Sequence, residues 1–177
     1  MEVTTPDIAT PPRGVTAATL LLYAVAATAV IVALIPVALV DDLKAAAEHA
    51  YAGTQLAATA AHDAASLAGS GLVSAFAAAA FWSALAFFCG RGRNPARITV
   101  WICGGLTALN VLVGISALPH DFFARRPDWY LPMFIVGIAI RLIGLAAASV
   151  LLAVPSSRPF FRKPLPPPIA QASQPTT

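Results

Sequence analysis

The chain has 177 residues, of which 58% are hydrophobic and 11% charged, with a mean hydropathy of +0.76. Soluble domains carry about 25% charged residues, so the composition excludes a molecule with water on every face, whereas a bilayer can take up this much apolar surface. The net charge is a modest +3, and two cysteines exclude a disulfide scaffold.

Residues 1–13, opening MEVTTPDIATPP, lack the apolar side chains needed to fold and read as a disordered tail. The first spanning helix is expected over Gly14–Val40. It is too long for a signal-peptide core, and no basic run precedes it, so it reads as a retained helix. Pro36 is the one proline placed to bend a span.

Residues 41–69 are dominated by alanine, the strongest helix former, and contain no proline. Gly53 and Thr54 make a turn and N-cap pair near the middle. The first two spans are therefore expected to continue as helices and to meet there, reaching roughly 18–20 Å beyond the membrane. In that register Lys44 faces Asp63. Glu48, His49, His62 and Asp63 are residue types that ligate zinc, but their spacing matches no ligand motif, so no metal is expected.

The second span is expected over Ser70–Gly90, the third over Ile98–Leu118 and the fourth over Tyr130–Val154. No Asp or Glu falls inside any of the four. The loop GRGRNPAR joins the second span to the third. Trp129 and Tyr130 read as an interfacial belt at the start of the fourth, and Phe160 and Phe161 as an anchor beyond its end. Residues 156–177 form a proline-rich tail whose PLPPP run suits a polyproline II helix.

Orientation follows from the basic residues. Arg13, Arg91, Arg93, Arg97, Arg158, Arg162 and Lys163 fall on one side, and Lys44, Arg125 and Arg126 on the other. That seven-to-three split puts both termini in the cytoplasm and residues 41–69 outside. Cys89 and Cys103 then lie near the reducing side. The expected fold is all-α: four transmembrane helices in an antiparallel bundle, N-in and C-in, with an outer helical hairpin.

Arg141 is the exception in the spans. It lies near the bilayer midplane, where a central Arg costs about 2.5–3.5 kcal/mol on insertion scales. Gly137, Arg141, Gly144 and Ala148 share one helical stripe, and small residues mark a packing face. Cys103, Thr107, Asn110 and Gly114 repeat the spacing in the third span. The expectation is an intramembrane polar site in which Arg141 donates to Asn110 or Thr107. In one reading Arg141 staples the bundle, and in the other it serves an anion or acidic ligand.

Catalysis needs a nucleophile with a base, paired acids or a metal set. Ser66, Ser70 and Ser74 share a helical face without a histidine beside them, and a serine stripe is more often packing glue. No enzyme activity, cofactor or nucleic-acid partner is expected. The segments PPRGVTAA, RGRNPARI and SSRPFFRK resemble those of small four-helix integral membrane proteins of actinobacteria. Members of that group commonly carry an aromatic residue where this loop has Pro95. The resemblance implies a plasma-membrane location and transfers no functional residue. The expected function is non-catalytic, acting through the bilayer and a membrane-protein partner or a homo-oligomer. The alternative is an oligomeric channel or accessory transport subunit with Arg141 in an anion site.

Overall fold

The computed structural model describes residues 11–118, 122–157 and 159–161. Among them are five α-helices and no strand: α1 (Arg13–Ala38), α2 (Val40–Ala50), α3 (Ala57–Gly90), α4 (Asn94–Ser116) and α5 (Tyr130–Ala153). Two short 3-10 turns follow at Pro155–Ser157 and Pro159–Phe161. Helices α1, α3, α4 and α5 are each long and apolar enough to cross a membrane. The terminal tails, including the PLPPP run, Arg162 and Lys163, lie outside the described residues, as does Arg158.

Helix α1 lies between α3 and α5 and packs along both. Its buried side chains, Val15, Ala18, Leu22, Val25, Ala26 and Ala29, follow the three-and-four spacing of one helical face. The first five form a core with Trp82, Leu85, Ala86 and Cys89 of α3 and Leu145, Ala148 and Leu152 of α5. Glycine sets how closely α5 approaches. A Cβ placed on Gly144 would come within 2.5 Å of Val25 Cγ2, and one on Gly137 within 3.1 Å of Val32 Cγ1.

Helix α1 contains Pro36 yet continues to Ala38, and the break falls at Leu39 (φ −109°, ψ 34°). The chain resumes at once as α2, whose Leu43 and Ala47 pack on Ala60, Ala64 and Ala68 of α3. Alanine against alanine lets two backbones come close. The α2–α3 turn has Gly53 at φ 76°, in the left-handed region. Thr54 Oγ1 donates to the Tyr51 carbonyl at 2.7 Å and accepts from the Leu56 N–H at 3.3 Å. Lys44 pairs with Asp41 one turn back, at 3.3 Å, rather than with Asp63 across the hairpin. A flexible lysine finds the carboxylate on its own helix at less entropic cost. At 34 residues α3 is roughly 50 Å long, well beyond the thickness of a 30 Å hydrocarbon layer.

Helix α4 is the outlier. Only 6% of its most apolar stretch is buried, against 22–28% in the other three. Its buried residues Ala96, Val100 and Gly104 all sit in its first half. Leu106, Leu109, Leu112, Val113 and Ile115, in the second half, are exposed.

Candidate functional site

Helix α5 presents two faces to two neighbours. Gly137, Gly144 and the fully buried Ala148 turn towards α1, and Arg141 belongs to this face. Leu142, Leu145, Ala146 and Ser149 turn towards α4, across a gap of about 310 Å³ also lined by Trp101, Gly104, Gly105 and Ala108. The small-residue stripe containing Arg141 is thus a packing face, but the helix it meets is α1 rather than the third span.

Val25 faces Gly144 and Val32 faces Gly137, so Arg141 falls level with Thr28. Arg141 is half-buried and lines a cavity of about 130 Å³ with Val25, Thr28, Ala29, Val32, Met133, Phe134, Gly137 and Ile138. No carboxylate lines this cavity. The Thr28 hydroxyl already donates to the Ala24 carbonyl at 2.8 Å, which leaves an oxygen lone pair as its remaining polar offer. Among the described residues Arg141 has no hydrogen bond or ion pair.

Asn110 and Thr107 do not join Arg141. Helix α4 packs through Ala96, Val100 and Gly104, and a Cβ on Gly104 would lie 3.7 Å from Ser149 Oγ. Gly104 is one residue, about 100°, from the Cys103 stripe. That rotation leaves Asn110 exposed and Thr107 half-buried, with no hydrogen bond to Arg141. The sequence signal for the observed face was the four-residue repeat Ala96–Val100–Gly104, which competes with the polar stripe beside it.

No protein family, characterised protein or solved structure matches this chain.

At the end bearing the GRGRNPAR loop, arginines lie on aromatic rings. Arg91 stacks over Phe87 at 4.0 Å and Arg93 over Phe88 at 5.0 Å. Arg97 lies 5.1 Å from the Trp101 ring and 5.5 Å from that of Phe161. Phe161 is buried in the main core, and Ser157 is fully buried, its Oγ donating to the Leu151 carbonyl at 3.1 Å. The segment after α5 therefore folds back as a cap on the bundle, and Phe161 is a core residue rather than a lipid anchor. Gly92, at φ 70°, lies against it, and a Cβ there would be 2.8 Å from the Phe160 carbonyl oxygen.

Glu48, His49, His62 and Asp63 are all exposed, and no group of three metal-ligating side chains occurs among the described residues. Ser66, Ser70 and Ser74 are also exposed, and the Ser70 hydroxyl donates to the Leu67 carbonyl at 3.1 Å.

Proposed function

We propose that the chain is a non-catalytic plasma-membrane protein, of the small actinobacterial four-helix type, that acts by binding another membrane helix through α4. The observation that carries this reading is the unpacked second half of α4 with Asn110 exposed on it. In hydrocarbon an unpaired carboxamide costs several kcal/mol, and a partner helix supplies the missing donor and acceptor. A second copy of the chain serves as well as a different protein, because the carboxamide is both donor and acceptor. The seven-to-three split of basic residues supports an antiparallel bundle with both termini cytoplasmic and the α2–α3 turn outside.

Crosslinking tests this directly. With Cys103 replaced by Ala, a Val113→Cys chain, which keeps Asn110 and places the thiol on the exposed half of α4, is expected to give a crosslinked product with a bis-maleimide in native membranes, and Leu20→Cys on exposed α1 is not. Recovery of the chain uncrosslinked in both cases overturns the reading.

A second reading is supported by the unpaired Arg141 in its own cavity: an anion site within a channel or accessory transport subunit. Here Arg141→Leu abolishes anion flux in liposomes while the protein stays folded. If the unmutated protein passes no anion and Arg141→Leu weakens helix packing, Arg141 is a staple between α1 and α5.

A further inference from the structure

Beyond the spanning helices and the partner contact of α4, the end of the molecule near Tyr130 carries a two-chambered cleft. One chamber, of about 200 Å³, is lined by Ala47, Tyr51, Ala60, Asp63, Arg125 and Arg126 among others. The other, of about 220 Å³, is lined by Ala33, Pro36, Leu43, Ala68, Gly71 and Tyr130. Ala64, Leu67, Phe122 and Arg126 line both, so the chambers adjoin at Arg126.

We propose that this cleft binds one acidic glycerophospholipid, its phosphate on Arg126 and one acyl chain along the groove between α1 and α3. Arg126 is half-buried and lies over two rings, Phe122 at 5.1 Å and Tyr130 at 5.5 Å. Aromatic rings hold a guanidinium by its face and leave its N–H edge free to meet two phosphate oxygens at once. Among the described residues Arg126 has no carboxylate partner. Arg125 adds a second positive charge nearby, with its Nη1 donating to the Tyr51 hydroxyl at 3.1 Å. Among the described residues Asp63 is the acid lining the cleft; it lies in the first chamber with both arginines and steers the phosphate towards the second.

The second chamber is apolar below Arg126. From Ala64 to Gly71 its wall follows α3 for about 10 Å. Gly71 leaves it open, since nothing lies within 4 Å of where its Cβ would be. Each chamber is smaller than the roughly 300 Å³ lower limit of a drug-sized site. Such a space suits a lipid, whose second chain remains in the bilayer. Depth also agrees. Arg126 lies four residues before the start of α5, where phosphates reside, whereas Arg141 lies roughly 16 Å deeper.

Native mass spectrometry of the full chain in detergent tests this with three probes: dioleoyl phosphatidylglycerol, dioleoylglycerol and inorganic phosphate. One phosphatidylglycerol is expected to stay bound, while dioleoylglycerol does not, and millimolar phosphate does not displace the lipid. Arg126→Gln and Gly71→Leu should each weaken retention at least tenfold, and Arg91→Gln, at the opposite end, should leave it unchanged. Should Arg126→Gln unfold, as read by helicity and melting, Arg126→Lys replaces it, with a smaller loss from keeping the charge without the planar fork. The proposal is overturned by equal retention of the two lipids, by displacement with phosphate, or by equal losses in the Arg126 and Arg91 variants. None of these outcomes depends on whether α4 finds a partner helix.

Discussion

Gly144→Ala offers the sharpest check on the α1–α5 seam. The added Cβ would sit 2.5 Å from Val25 Cγ2, against an optimum of about 3.5–4.0 Å for two carbons. Val25 is only 2% exposed, and a valine in a helix has one strongly preferred rotamer, so the methyl cannot swing away. The helices must then part by about 1 Å, which forfeits a quarter to a half of the dispersion attraction along the seam. Overpacking of this kind costs about 1–3 kcal/mol, and a rigid neighbour puts this case near the top of that range. The assay is thermal unfolding of the purified chain in detergent. Adding Val25→Ala removes the obstructing methyl, so the double variant should recover part of the loss, with a coupling of about 1–2 kcal/mol. Gly69→Ala and Gly105→Ala are the controls. Nothing lies within 4 Å of either position, and the same substitution there should be neutral or stabilising by about 0.5–1 kcal/mol. A neutral Gly144→Ala, or a strictly additive double variant, would refute the close α1–α5 approach.

Other outcomes follow from single contacts. Gly92→Ala is expected to destabilise by about 1–2 kcal/mol from its positive φ alone. It should also free the segment after α5 to proteolysis, because the methyl meets the Phe160 carbonyl. Phe161→Ala removes a ring from the core and should cost about 3 kcal/mol in melting experiments, a loss that a lipid anchor would not show. Lys44→Ala should change stability by less than about 0.5 kcal/mol and be additive with Asp63→Ala, because the exposed lysine pairs with Asp41 instead.

Much of the α2–α3 hairpin was legible, because its causes are local. Alanine propensity, the absence of proline and a lone glycine before Thr54 are properties of neighbouring residues, and Gly53 takes the left-handed turn. The break at Leu39 was not legible, since proline at 36 signals strain nearby without saying which residue gives way. The face of α5 carrying Gly137, Arg141 and Gly144 was also readable as a packing face. Its neighbour was not, because two small-residue stripes of equal spacing carry no label for the helix they meet. The role of Phe161 was hidden for the same reason: a Phe pair beside arginines reads alike as an interfacial anchor or as a cap folded into the core.

By itself, the sequence determined four apolar helices long enough for a bilayer and one arginine, Arg141, midway along the last of them. Both follow from composition and from the 3.6-residue period, which act along one chain segment at a time. The tertiary structure alone decided that α1 sits between α3 and α5, that α4 stays largely unpacked, and that Arg141 lines a cavity with Thr28 of α1 rather than joining Asn110 of α4. Those outcomes depend on which backbones can approach most closely. Gly137 and Gly144 against Val32 and Val25 give α5 a tighter seam with α1 than Gly104 against Ser149 gives it with α4.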